Sequence, residues 1–264
     1  MSKNLKVLFI GDIIGKLGRQ VCQQVLPEIK KKFSPDFIIA NGENSAHGYG
    51  ITEKIYKELI ELGVDAITMG NHVWDKRELI TNIDKLPLVL RPANYPPGTP
   101  GVDHLIIEKK GVKVGLLNLT GRVFMKEMDC PFQAAEQLVP EIKKQTNIII
   151  VDMHAEATSE KCAMGWLLDG RVSAVVGTHT HVMTADERVL PEGTAFISDI
   201  GMVGGYDSII GMKKEQILKR FKTLLPERFE PTDEGPGLFN AVLLEIDPKT
   251  GKAKKIERIN RLNP

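Results

Sequence analysis

Five short apolar runs in this chain each end on a side chain that binds metal ions well. Val7 to Ile10 leads into Gly11-Asp12, Phe37 to Ala40 into Asn41-Gly42-Glu43-Asn44, and Ala66 to Met69 into Gly70-Asn71-His72. Ile148 to Val151 leads through Asp152 and Met153 to His154, and Ala174 to Val176 through Gly177 and Thr178 to His179-Thr180-His181. Runs this short and rich in Val, Ile and Leu fit strands buried on both faces. Helical periodicity lies between them, over 19–33, 52–62, 75–86, 132–144 and 160–168, with one more helix at 213–225. Strand followed by helix predicts an α/β fold with a mainly parallel sheet. In such a sheet the carboxyl ends of the strands share one edge, so residues far apart in sequence meet there.

Two further runs, Val114 to Leu119 and Ala195 to Ile197, add strands without such endings. The four prolines between Pro92 and Gly101 require a loop, and 238–246, the turn 248–251 and 253–259 form a hairpin. With 264 residues, 42% of them hydrophobic, the chain buries a substantial core, and no segment resembles a flexible linker, so one domain over 1–264 is expected. Its 35 basic and 34 acidic residues nearly cancel, which excludes the broad positive field of a protein that binds long nucleic acid and favours a small anionic substrate. Cys22, Cys130 and Cys162 form no C-x-x-C pair, no stretch has the length and apolarity of a membrane span, and the expected compartment is the cytoplasm.

Taken singly, each strand-end residue has an ordinary structural role. Asp12 fits a helix cap or turn, Asn44 and Asn71 are turn formers, and His154 fits a hydrogen-bonded core imidazole. Five strand ends with the same chemistry argue jointly for a metal centre. Other chemistries lack their residues: Gly11 to Lys16 has the wrong spacing and no following hydroxyl for a phosphate loop, and no G-x-G-x-x-G or G-x-S-x-G motif occurs.

The ordered series Gly11-Asp12, Gly42-Glu43-Asn44, Gly70-Asn71-His72, His154 and Gly177-Thr178-His179-Thr180-His181 resembles the calcineurin-like metallophosphoesterases, and within them the bacterial YmdB-like branch. Ile14 stands where the wider superfamily has a histidine, and Glu43 where it has a bridging aspartate; both departures look like that branch. The resemblance covers essentially the whole chain. It implies a four-layer α/β/β/α sandwich of two mixed sheets flanked by helices. It also implies one ion on Asp12, Glu43, Asn44 and His181, and a second on Asn71, His154 and His179 with Glu43 bridging. Oxygen and imidazole donors suit iron, manganese or zinc, and the resemblance favours iron.

The activity implied is a phosphodiesterase that opens 3′,5′- or 2′,3′-cyclic nucleotides through attack by a metal-bridging hydroxide. His72, directly after Asn71, is then the general acid. Asp75 either orients that ring or caps a helix, the cap being the reading its position favours, and His47 is a candidate substrate contact. Tyr49, Trp74, Tyr95, Phe124 and Tyr206 stand in or near loops, where an aromatic side chain could also stack on a base. Alternatives on the same centre are a phosphomonoesterase such as a nucleotidase, a nuclease, or a regulatory protein that binds a nucleotide without cleaving it. Relatives suggest a homo-oligomer, with no membrane partner.

Overall fold

The structure, a computed structural model, describes residues 4–263, so both ends of the expected 1–264 span lie outside the described residues. In chain order its elements are β1 (Leu5–Ile10), β2 (Asp12–Ile13), α1 (Gly15–Phe33), β3 (Phe37–Asn41), α2 (Glu53–Glu61), β4 (Ala66–Thr68), α3 (Arg77–Asn82), β5 (Val89–Leu90), β6 (His104–Lys109) and β7 (Val112–Thr120). They continue with α4 (Pro131–Lys143), β8 (Ile149–His154), α5 (Thr158–Leu167), β9 (Ala174–Thr178), β10 (Arg188–Val189), β11 (Ala195–Ile197), β12 (Met202–Gly205), α6 (Lys214–Thr223), β13 (Gly237–Ile246) and β14 (Ala253–Asn263).

Two mixed sheets form, where strand–helix alternation alone predicts a mainly parallel one. The first runs β2-β12-β13-β1-β3-β4-β5, with β14 along β13; the second runs β10-β11-β9-β8-β7-β6. In the first, β1, β3, β4 and β5 are parallel, while the C-terminal hairpin enters antiparallel, pairing Leu5 with Ile246 and Ile10 with Ala241. In the second, β7, β8, β9 and β11 are parallel and the edge strands β6 and β10 are antiparallel. The β6–β7 connection is tight, since Lys110 and Gly111 both take positive φ, 53° and 76°, the signs that match strand twist in a two-residue hairpin turn.

Side-chain alternation sorts the apolar residues into three cores. On β1, Leu8 and Ile10 face α1 and α2, joining Val21, Leu26 and Leu59. Val7 and Phe9 point the other way, into a layer shared with Phe37, Ile39, Leu116, Ile150 and Val176. Beyond the second sheet, Leu117, Val151 and Val175 pack with Val139 and Ile142 of α4 and Met164 of α5. The order is therefore helix, sheet, sheet, helix, and strands covered on both faces read as unbroken apolar runs. At β1, the close approach of another backbone demands glycine: a Cβ on Gly11 would stand 2.1 Å from the Gly201 carbonyl oxygen. That approach lets Asp12 N donate to Gly201 O at 3.1 Å and sets the Asp12 side chain at the strand end.

Candidate metal centre

All seven strand-end side chains singled out above meet at one edge of the sandwich. Asp12, Glu43, Asn44 and Asn71 come from the first sheet, and His154, His179 and His181 from the second. Asp12, Glu43 and His154 are fully buried. Glu43 Oε1, Asn71 Oδ1 and His179 Nδ1 each lie 3.0 Å from His154 Nε2, and ligand atoms of Glu43, His154 and His179 fall within 4.8 Å of one another. Beside them, His181 Nε2 lies 3.1 Å from the Asn44 amide nitrogen and 4.0 Å from Asp12 Oδ1. Space is so short that a Cβ on Gly70 would meet the His154 ring at 2.3 Å and Glu43 Oε2 at 2.4 Å.

Hydrogen bonds on the far side of each ring decide what faces inward. Thr178 Oγ1 gives its one hydrogen to Asp152 Oδ1 at 2.7 Å, so it accepts from His154 Nδ1 at 2.9 Å. Asp152 is held in turn by Thr68 Oγ1 at 2.5 Å and Asn41 Nδ2 at 3.2 Å. His179 Nε2 lies 3.1 Å from Glu156 Oε2, and His181 Nδ1 donates to the Ile210 carbonyl at 2.9 Å. With those protons placed outward, the inward nitrogens of the neutral rings carry lone pairs. Once His154 gives up its second proton, lone pairs confront carboxylate and carbonyl oxygens, and Asp12 Oδ1 is buried without a hydrogen-bond partner. Positive charge is what such a set calls for, supplied either by a proton on His154 or by a metal ion, because buried acceptors without donors are costly. The Asn44 amide, once turned over, adds its carbonyl oxygen to the same set. These residues fit metal ions, with oxygen and imidazole donors and fixed tautomers behind them.

The electrostatics agree. Burial pushes the Asp12 carboxyl well up from its ordinary value, with Glu43, Asp199 and Asp152 adding to the rise. Burial acts against the charged form of Glu43 too, yet His154 and His72 outweigh it and hold that carboxyl low. For His154, burial is overcome by Glu43, Asp12 and Asp152, which raise the ring to about 9. His179 is pushed down to about 3 by burial and by the charge on His154, and burial also lowers His181. A proton between His154 and Glu43 thus holds the place a cation would take. The raised group keeps its proton below about pH 9, so a divalent ion must displace it there. Affinity for Mn²⁺ in metal-free protein is expected to rise about tenfold per pH unit from near neutrality to about pH 9 and then level off. Asp12 adds to that slope at the acid end. Calorimetric titration at several pH values checks this; a flat profile would remove His154 Nε2 from the cage.

His72 lies beside this cage rather than in it. Its backbone N–H donates to Glu43 Oε2 at 3.0 Å, and its ring Nδ1 lies 2.8 Å from Asp75 Oδ2. Asp75 does not cap α3, contrary to the role its position favours: Lys76 is the cap residue, with no side-chain cap bond, and the Asp75 carboxylate turns to the imidazole. With Nδ1 engaged, His72 Nε2 is left for a cleft of about 340 Å³ lined by Glu43, Asn44, Tyr49, His72, His179 and His181, among others. His47, exposed at φ 57°, lines a neighbouring recess with Lys76 and Arg228 that includes none of the seven. Among the aromatic candidates, Trp74 and Tyr95 pack edge-to-face on each other at 6.0 Å against the first core, whereas the Tyr49 ring stands 5.0 Å from that of His72.

Several supporting residues escape a reading of the sequence. Asp152 is one, although a carboxylate inside an apolar strand is a visible signal. Lys161 and Asp199 form a second buried unit, 2.7 Å apart, and Asp199 also accepts from Thr180 N at 3.0 Å and Thr180 Oγ1 at 2.8 Å. Thr180 separates His179 and His181, whose φ angles of 98° and 65° are strained for residues with a Cβ.

A family model described as YmdB-like protein matches residues 8–259. The 2′,3′-cyclic-nucleotide 2′-phosphodiesterase of Bacillus subtilis (strain 168) is 54% identical over 255 residues, spanning 97% of this chain and 96% of that protein. A crystal structure of a hypothetical protein from Thermus thermophilus superposes with a TM-score of 0.92 at 41% identity, covering 98% of this chain and 100% of that one. A structure described as a novel phosphatase from Mycoplasma pneumoniae gives a TM-score of 0.93 at 36% identity, covering 100% of this chain and 95% of that one.

Proposed function

The chain belongs to the family of YmdB-like proteins and is a phosphoric ester hydrolase, and from that premise we propose that it opens cyclic nucleotides, 2′,3′-cyclic and 3′,5′-cyclic alike, at a centre of two divalent cations. The observation that carries this reading is the buried Asp12 Oδ1, without a hydrogen-bond partner, beside Glu43, Asn71 and His179 atoms that all crowd onto His154 Nε2. Asp12, Glu43, Asn44 and His181 would hold one ion, and Asn71, His154 and His179 the other, with Glu43 long enough to reach both. This set of oxygen and imidazole donors fits iron, manganese or zinc, and we favour iron. Such cations supply Lewis acidity, drawing an anionic phosphate into the cleft, neutralising its oxygens and lowering the pKa of water.

The side chains around them do the rest. Asp75 holds Nδ1 of His72 and fixes the ring plane, so Nε2 can deliver a proton to the departing ribose oxygen. Water adds to phosphorus, the ring P–O bond breaks, and a nucleoside monophosphate leaves. For a 2′,3′-cyclic substrate the 2′ bond is the one proposed to break, in line with the name of the Bacillus subtilis relative. Among the described residues no helix is long and apolar enough to cross a membrane, and all three cysteines are free, which supports the cytoplasm as the proposed compartment.

Initial rates of the iron- or manganese-restored protein on 2′,3′-cyclic AMP, 3′,5′-cyclic AMP, AMP and single-stranded RNA test the reading. The cyclic diesters are expected to lead. Preference for AMP would make the chain a monoesterase, preference for RNA a nuclease, and tight binding of cyclic nucleotide without product a regulatory binder.

A further inference from the structure

The cleft that contains His72 has two chemically different ends. Glu43, Asn44, His179 and His181 form the polar end, and Tyr49, Ile210, Met212, Ile217, Phe221 and Phe229 form an apolar wall. Most of that wall belongs to the segment between β12 and β13. Ile217 and Phe221 lie one turn apart on the same face of α6; Ile217 is 5% exposed and anchors the helix, whereas Phe221 is 72% exposed over the cleft. The Arg220 guanidinium sits 4.9 Å from the Phe229 ring, and Tyr49 meets the edge of His72, so these two aromatics already have partners. Phe221 lines the same cleft as His72 and keeps most of its ring surface open to solvent.

We propose that this wall, with Phe221 as its stacking surface, is a nucleobase subsite, so that the chain selects phosphodiesters that carry a planar base over those that carry only a sugar. The proposal rests on the phosphodiesterase reading above. His72 protonates an oxygen of the ribose, so the sugar stands next to His72, and the base, one glycosidic bond further on, falls within the same cleft. A volume of about 340 Å³ suits a nucleoside rather than a bare phosphate. Phe124 is the competing aromatic, 90% exposed at φ 59°, but its recess opens on Asn71 and His179 and does not include His72. Stacking on an aromatic side chain tolerates any base and favours purines, whose rings offer the larger face.

The test compares metal-loaded wild type, Phe221→Ala, Phe221→Trp and Phe124→Ala on 2′,3′-cyclic AMP and on methyl riboside 2′,3′-cyclic phosphate, which lacks a base. Calorimetry with 3′-AMP runs in parallel. Phe221→Ala is expected to raise KM for the nucleotide and Kd for 3′-AMP about tenfold or more, a loss several-fold larger than on the baseless substrate, and Phe221→Trp is expected to restore both. Equal loss on the two substrates, unchanged 3′-AMP affinity, or a base-dependent loss in Phe124→Ala instead would overturn the proposal. If wild type cleaves neither diester yet 3′-AMP binding still depends on Phe221, the hydrolytic reading falls and the subsite stands.

Discussion

Replacing His72 with alanine is expected to lower kcat on cyclic nucleotides by about 10²- to 10⁴-fold, the usual contribution of a positioned general acid. The same variant should lose far less on bis(p-nitrophenyl) phosphate, whose phenolate leaves without a proton. Metal content is expected to stay unchanged, because the ring bonds to Asp75 rather than facing the cage, and the His72 backbone N–H that steadies Glu43 survives the substitution. Elemental analysis alongside the two rates decides the matter. Equal losses on both substrates would mean that His72 acts on binding or structure, and full activity on the cyclic nucleotide would remove it from the mechanism.

Lys161→Met is expected to cost about 3–5 kcal/mol of stability, since it leaves a buried carboxylate without its partner. Lys161 and Asp199 are each about 1% exposed and 2.7 Å apart. In a chain this size, such a loss lowers Tm by roughly 10 °C. Metal binding should weaken as well, because Asp199 also takes the Thr180 N–H and hydroxyl and the Gly201 N–H at 2.8 Å, and thereby holds His179 and His181 in their left-handed conformations. Adding Asp199→Asn to Lys161→Met removes the unpaired charge and is expected to recover part of the stability. Urea unfolding of the single and double variants reads this directly. A single variant as stable as wild type would show that the pair carries no such load.

How far the sequence reveals all this depends on burial. The strands that deliver the site are covered on both faces, so they stand out as apolar runs, and their endings stand out with them. Edge strands do not: β6 mixes His104, Glu108 and Lys109 with its apolar residues, and β2, β5 and β10 are two residues long. The division into two sheets is invisible to periodicity, because alternation tells which face a residue takes but not which strand lies beside it. Charged residues mislead in the same way. Lys161 lies in a helix whose other charged side chain, Glu160, is also buried, and neither looks different in sequence from a solvent-facing residue. Asp75 resembles a cap by position, and only the folded loop shows its carboxylate turned toward His72. Phe221 passes for part of an ordinary amphipathic helix until the strands bring His72 to the same cleft.

The cage straddles the seam between the two halves of the sandwich, four of its side chains hanging from one sheet and three from the other. Whatever fills it is therefore also a rivet. By linkage, a ligand that binds only the assembled form adds its binding free energy to the cohesion of that form. Under the proposed two-cation centre, cation supply would govern not just turnover but how long the folded chain endures, and a chelator would act on it as a solvent acts on glue.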